Sequence, residues 1–373
     1  MSIYLDHNAT APLRAEARAA MQAAFDCVGN PSSVHAEGRK ARAMIEAARS
    51  QIVDLMGGCA GRICFTSGGT EANALGVLGG ARSNGVGRLI ISAIEHDAVR
   101  GAADQSGLPV EGLRVDETGL ADLDHLKALL EAGPKALVAL MAVNNETGVI
   151  QPVSDAATLV REAGGLLHVD AVQAAGRIPL GEIGMMADFV ALSAHKIGGP
   201  KGAGALHIAK ARDVAPLLTG GGQELGDRAG TENLPGIAGF GAAAQAALKD
   251  LDDQDRIAAL RDRLEDQLTD ATVMGKAAPR VANTTALLMR GAKAETQVMA
   301  FDLEGICVSA GSACSSGKVG PSHVMAAMGL GDEDAQSVVR VSLGPQTSGA
   351  EIETFCAAWR AIHGRLAKRA SAA

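Results

Sequence analysis

The chain has 373 residues, enough to bury a large core, and a length that predicts two domains. Its net charge of −8 argues against nucleic acid or an anionic membrane as the main partner. A hydrophobic share of 47 % with only 2 % aromatics implies a core of Ala, Val, Leu and Ile. No run is long and apolar enough to span a bilayer, and MSIYLDHNAT lacks the pattern of a secretion signal, so a cytoplasmic location is expected.

From about residue 14 to 210, helical and strand patterns alternate, which predicts βα units and a mostly parallel sheet. Asn30, Pro31, Ser32 and Ser33 mark a turn and candidate cap before a helix over 36–56. That helix puts Met44, Ile45, Ala48, Ile52, Leu55 and Met56 on one face. The polar loop GGGQELGDRAGTEN (220–233) interrupts the alternation. A long helical pattern over 236–270 then leads into a smaller α+β unit, and the Ala-rich tail after Lys368 reads as disordered. The expected division is a large domain over 13–250 and a small one built from 1–12 and 251–373.

Five apolar runs end in polar residues suited to chemistry. ICFTSGGTEAN (63–73) carries Gly68, Gly69 and Thr70 ahead of a helix, where glycine lets backbone N–H groups approach a phosphate. It is neither a P-loop nor a dinucleotide fingerprint, and an ordinary strand–turn–helix reads the same way. LIISAIEHDAV (89–99) ends in His96, either a satisfied structural residue or a ring for stacking and proton transfer. The strand pattern ALVALMAV (136–143) ends in Asn144 and Asn145.

LLHVDAVQ (166–173) ends in Asp170, with Gln173 just beyond. That carboxylate either caps a following helix or meets a cation. DFVALSAHKIGGPKGAGAL (188–206) ends in Ser193, His195 and Lys196. A lysine at the end of a buried strand should have a depressed pKa and a nucleophilic amine; on a solvated loop it would be ordinary. Such lysines form Schiff bases with carbonyl compounds, including pyridoxal phosphate, whose pyridine nitrogen needs an acidic partner. One such ending is noise, but five at the carboxyl edge of one sheet form a site.

Arg340 lies in the strand pattern SVVRVSLG (337–344), where Val338, Arg340 and Ser342 share one face. It faces solvent, or it faces inward and requires an anion or water. The six cysteines include no CxxC pair, and the nine histidines no HExxH arrangement, so neither a metal site nor a disulfide framework is expected. Most of the cysteines read as small buried apolar residues. Cys314 differs, because Gly311, Ser312, Ala313, Ser315, Ser316 and Gly317 around it favour an exposed loop.

The segments YLDHNATAP (4–12), TSGGTEAN (66–73), VNNETG (143–148), HVDAVQ (168–173), SAHK (193–196) and SAGSACSSGKVGPSHV (309–324) together resemble the cysteine desulfurases. These belong to the class V aminotransferase branch of the pyridoxal-phosphate enzymes. The last segment is similar to the group whose catalytic cysteine lies on a long loop and which feeds iron–sulfur cluster assembly. The resemblance spans nearly the whole chain and implies an α/β fold of the aspartate-aminotransferase-like type, with a mostly parallel large domain and a smaller α+β domain.

The resemblance also implies the roles. Lys196 would carry pyridoxal phosphate, Asp170 would face its ring nitrogen, and His96 would stack on the ring and handle protons. Gly69, Thr70, Ser193 and His195 would hold the phosphate, with Thr231 contributing from the second subunit of a homodimer. Asn145 and Gln173 would bond the ring oxygen or the substrate, and Arg340 would grip the carboxylate of L-cysteine. Cys314 would take the sulfur as a persulfide, leaving alanine, and pass it to an acceptor protein such as an iron–sulfur scaffold. A selenocysteine lyase or an aminotransferase is the alternative within the family, and transamination needs no thiol. Leu225 and Asp227 stand where relatives often carry basic residues, and Ala11 stands where a threonine is common.

Overall fold

In the computed structural model, which describes residues 2–311 and 321–370, seven strands form a central sheet. Their order is Gly61–Thr66, Gly204–Ala209, Phe189–Ser193, Leu166–Asp170, Ala136–Ala139, Arg88–Ser92 and Val110–Leu113. All run in one direction except Gly204–Ala209, which is antiparallel to both neighbours. The stretch between Ser193 and Gly204 is too short for the helical crossover that a parallel return needs.

The inner strands are buried on both faces, which explains their near-continuous apolar runs. Alternate residues feed opposite layers. Ile90, Val138, Leu167 and Val190 meet the layer containing helices Ala36–Leu55 and Leu234–Asp250. Leu89, Ile91, Leu137, Leu166 and Phe189 meet the layer of the helical stretch that opens with Gly69–Ala74 and of helix Asp97–Asp104. Small residues replace aromatics as the packing device. A Cβ at Gly241 would lie 2.6 Å from Ala48 Cα, so these two long helices pack backbone against backbone.

Several boundaries differ from the sequence reading. Helix Ala36–Leu55 is capped by His35, whose Nδ1 accepts from Gly38 N at 3.3 Å. The preceding turn is closed within itself, Asn30 Oδ1 accepting from Ser32 N at 2.9 Å. The helical pattern over 236–270 is broken into Leu234–Asp250, a 3-10 turn Leu251–Asp253 and helix Gln254–Gln267. The break has a packing cause: Phe240 and Ala243 belong to the core of the large sheet, whereas Ile257 and Leu264 belong to a separate core. The final helix, Gly349–Ala370, takes in Arg369 and Ala370, the first two residues of the tail read as disordered; residues 371–373 lie outside the described residues.

That separate core lies under a four-stranded antiparallel sheet ordered Ser309–Ala310, Val338–Ser342, Thr284–Leu288 and Thr272–Val273. Phe301, Phe355 and Trp359 pack together within it. The amino-terminal segment joins the same unit: Ile3–Tyr4 pairs with Ile306–Cys307, Leu5 is fully buried, and Asp6 bridges to Ser342. No helix among the described residues is long and apolar enough to cross a membrane.

Candidate active site

Because the strands are co-directional, the residues following five of their carboxyl ends meet at one edge, where α/β sheets bind ligands. A cavity of about 340 Å³ opens there. Gly69, Thr70, His96, Asn145 and Asp170 line it, together with Gln173, Ser193, His195 and Lys196, and Arg340 reaches it from the smaller sheet.

Gly69 opens helix Gly69–Ala74, whose first helical bond runs from Ala72 N to Gly68 O at 3.1 Å. The N–H groups ahead of that bond have no helical acceptor. A Cβ at position 69 would lie 3.1 Å from Val172 Cγ2 and 3.2 Å from Ser193 Cβ, so glycine lets the helix start sit against two neighbouring strand ends. Ser193 Oγ is buried without a hydrogen-bond partner. His195 is half-buried, 3.3 Å from Thr10 Oγ1, and burial, then Lys196 and Lys201, lower its pKa to about 4. It is therefore a neutral ring with one N–H to give.

Lys196 does not end the strand but closes the 3-10 turn Ala194–Lys196 that follows it. It is half-buried, and Nζ donates to Asn8 O at 2.6 Å and Ala9 O at 3.0 Å. Asp170 is 5 % exposed, with Oδ2 accepting from Asn73 Nδ2 at 2.8 Å and Oδ1 from Val172 N at 2.9 Å. It caps no helix: turns follow it, and the next helix is Gly181–Met186.

For His96 the structural and the cavity readings hold together. It is the N-cap of helix Asp97–Asp104, with Nδ1 accepting from Ala98 N at 3.0 Å, and its ring still lines the cavity. The two asparagines separate. Asn144 organises the turn, its Oδ1 accepting from Glu146 N, Thr147 N and Thr147 Oγ1, whereas Asn145 lines the cavity. Gln173 donates from Nε2 to Asn8 O at 3.0 Å and accepts from Arg177.

Arg340 is 2 % exposed, which removes the solvent-facing alternative. Nη1 donates to Asn145 O at 3.0 Å, Nη2 donates to Asp6 Oδ1 at 2.9 Å, and Nε is buried without a partner. Asp6, Asn8 and Asn73 went unnoticed in the sequence. Asn8 joins the small unit to the sheet edge, bonding Asn145 O and Thr284 Oγ1 through Nδ2 while its own carbonyl receives Lys196 and Gln173. The only signal for the first two was their place in YLDHNATAP; Asn73 closes TSGGTEAN without any pattern that marks it. Glu95 was also missed. It is fully buried, its Oε1 accepts from Met141 N at 2.6 Å, and burial, then the nearby Asp170, push its pKa well above the usual carboxyl range.

These groups fit pyridoxal phosphate. The unpartnered Ser193 Oγ, neutral His195 and the open helix start are anion donors; Asp170 is a buried acceptor anchored by two donors; Lys196 supplies an amine.

Thr231 does not reach this cavity within one chain. It lines a separate opening with Thr66, Ser67, Gly202 and Arg228. Asp227, in the same loop, pairs with Arg62 through contacts of 2.6 and 3.1 Å, which accounts for an acid at that position. Cys314 lies outside the described residues. The other five cysteines are free thiols; Cys59, Cys64 and Cys356 are buried, and burial raises the pKa of each, that of Cys356 to about 11.

Comparison with known proteins agrees. The model of the family described as aminotransferase class V matches residues 3–355. A cysteine desulfurase of Cereibacter sphaeroides is 43 % identical over 94 % of this chain and 93 % of its own length. A cysteine desulfurase IscS of Dictyoglomus turgidum is 38 % identical over 93 % of this chain and 90 % of its own. The crystal structure of a NifS-like protein from Rickettsia africae superposes with a TM-score of 0.90 at 34 % identity, covering 98 % of this chain and all of that one. The chain belongs to the class V aminotransferase family, among its pyridoxal-phosphate-dependent cysteine desulfurases.

Proposed function

We propose that this enzyme removes sulfur from L-cysteine, leaving alanine and a persulfide on Cys314 that passes to an acceptor protein for iron–sulfur cluster assembly or other sulfur transfer. The observation that carries this reading is the gathering of an amine, a buried carboxylate, anion donors and a buried arginine around one cavity.

Bound there, pyridoxal phosphate supplies an aldehyde for amines and a ring that accepts the electron pair released at the α-carbon. Gly69, Thr70, Ser193 and His195 would hold its phosphate, and Thr231 would add a hydroxyl from a second copy of the chain. Asp170 would pair with the ring nitrogen. His96 would meet the ring and relay protons, and Asn145 and Gln173 would bond the ring oxygen or the substrate.

Lys196 would supply the amine that anchors the cofactor and the base that takes the α-proton. Arg340 clamps the substrate carboxylate with a planar fork, and Asp6 holds that fork. The Cys314 thiolate attacks the substrate sulfur: an S–S bond forms, the C–S bond breaks, and its electron pair stays on the carbon side until protonation gives alanine.

A homodimer follows from the position assigned to Thr231 and suits the exposed Leu225 and Phe25, which stand 79 % and 66 % exposed. A large domain over 13–250 and a small one from 1–12 and 251–373 draw support from the core that takes in Leu5 and residues from Ile257 onward, while a further core packs Ile94 and Met141 of the first against Met274, Ala286 and Met325 of the second. A cytoplasmic setting would keep the working thiol reduced. Borohydride reduction of the holoenzyme followed by peptide mapping tests the anchor: the cofactor should sit on Lys196, and recovery on Lys201 would refute the assignment.

A further inference from the structure

Behind Asp170 lies a chain of side chains that the proposed chemistry does not use. Asp170 Oδ2 accepts from Asn73 Nδ2 at 2.8 Å, and Asn73 Oδ1 lies 2.8 Å from His168 Nε2. The chain runs inward from the cavity, which Asp170 and Asn73 line, to His168, which is 0 % exposed; Asn73 is 1 % exposed. The Asn73 amide gives its NH2 to Asp170 and so turns its carbonyl toward His168. That carbonyl only accepts, so Nε2 must carry the imidazole proton.

The other ring nitrogen confirms which side is bare. His168 Nδ1 is buried with no hydrogen-bond partner, and burial lowers the ring's pKa to about 3, so the imidazole is neutral. Nδ1 lies against Gly76, where a Cβ would come within 2.4 Å of it. Gly76 belongs to the single π turn Leu75–Gly79, which interrupts the helix just after Asn73. Such turns are rare and concentrate at functional sites. Any side chain at position 76 would collide with the ring that reaches Asn73.

We propose that His168 and Asn73 are positioning residues for the reaction, with His168 Nε2–H locking the Asn73 amide so that its NH2 always faces Asp170. Without the lock the amide is free to turn over and set its carbonyl against the carboxylate, acceptor against acceptor. Asp170 would then keep only Val172 N as a donor in a site whose burial disfavours charge. The inference rests on the reading of Asp170 as the partner of the cofactor's ring nitrogen.

Two measurements test it. In holoenzyme with nitrogen-15 histidine, long-range proton–nitrogen correlation should find His168 neutral and protonated on Nε2 between about pH 6 and 8. A ring protonated on Nδ1, or one titrating in that range, overturns the lock, and this needs no variant. The second uses cofactor labelled with nitrogen-15 in the ring, reconstituted into wild type, His168→Gln and His168→Leu. Glutamine can still donate to Asn73 Oδ1; leucine cannot. The ring nitrogen should stay protonated in wild type and His168→Gln. In His168→Leu it should lose that protonation, with cofactor affinity falling roughly tenfold or more, the scale on which outer-shell partners act. Equal affinity and an unchanged nitrogen shift in His168→Leu overturn the proposal. An unprotonated ring nitrogen in wild type, with the Nε2 tautomer intact, refutes instead the role of Asp170 and the proposal built on it.

Discussion

Arg340 Nη2 donates to Asp6 Oδ1 at 2.9 Å, joining residues 334 positions apart in the chain. The guanidinium is 2 % exposed, and among the described residues its hydrogen bonds go to Asp6 and the carbonyl of Asn145, with the buried Glu146 also interacting with its charge. Removing one partner of a buried pair costs about 3–5 kcal/mol, because the other charge is left uncompensated. The Asp6 side chain is 17 % exposed, which puts this pair toward the lower end.

Arg340→Lys keeps the charge but loses the fork. It should raise KM for L-cysteine by about tenfold or more while leaving cofactor binding unchanged. Steady-state kinetics together with the absorbance of the bound cofactor check both halves. An unchanged KM would leave Arg340 as a tie between Asp6 and Asn145 and nothing more.

Asp170→Asn should fold, since an amide oxygen can still accept from Asn73 Nδ2 or Val172 N. Turnover should fall by roughly 10²-fold or more, the scale of a well-placed electrostatic contact, because a neutral amide does not hold a protonated pyridine nitrogen. Circular dichroism and alanine production measured on one preparation separate folding from chemistry. A variant working near the parent rate would reduce Asp170 to a turn-former.

Glu95 gives a pH signature. Its folded pKa lies well above 4.5, through burial first and Asp170 second. The unfolded chain releases this proton above about pH 4.5 while the folded one keeps it, so stability is intact below that pH and falls as pH rises toward the folded value. Glu95→Gln has no such loss. Denaturant melts at about pH 5 and pH 8 should therefore show the variant gaining on wild type at the higher pH. A stability difference independent of pH would mean that Glu95 ionises in the fold.

Much of the site was legible because it sits at strand ends. An apolar run followed by a polar residue reveals both the strand and its edge, which is why Gly69, His96, Asp170 and Lys196 stand out as candidates, although each run taken singly also has an ordinary structural reading; the cavity brings the four together. What local patterns do not carry is the partner. Period-two alternation put Arg340 on a face without saying which face is inward; Asp6, at the other end of the chain, decides that. Asn144 and Asn145 look alike in sequence, yet one is spent on the turn of residues 146 and 147. Helical periodicity over 236–270 could not reveal that its two halves serve different cores. The reversed strand Gly204–Ala209 was within reach, since the loop before it is too short to cross over.

The most direct test of the desulfurase account is alanine formation from L-cysteine by Cys314→Ala beside wild type. The variant should bind pyridoxal phosphate normally, since no cofactor contact is assigned to the thiol, and should then produce neither stoichiometric alanine nor a persulfide. Wild type without reductant should carry one additional sulfur on the Cys314 peptide. If Cys314→Ala makes alanine and releases sulfide at the parent rate, the nucleophile is another group and the account is wrong.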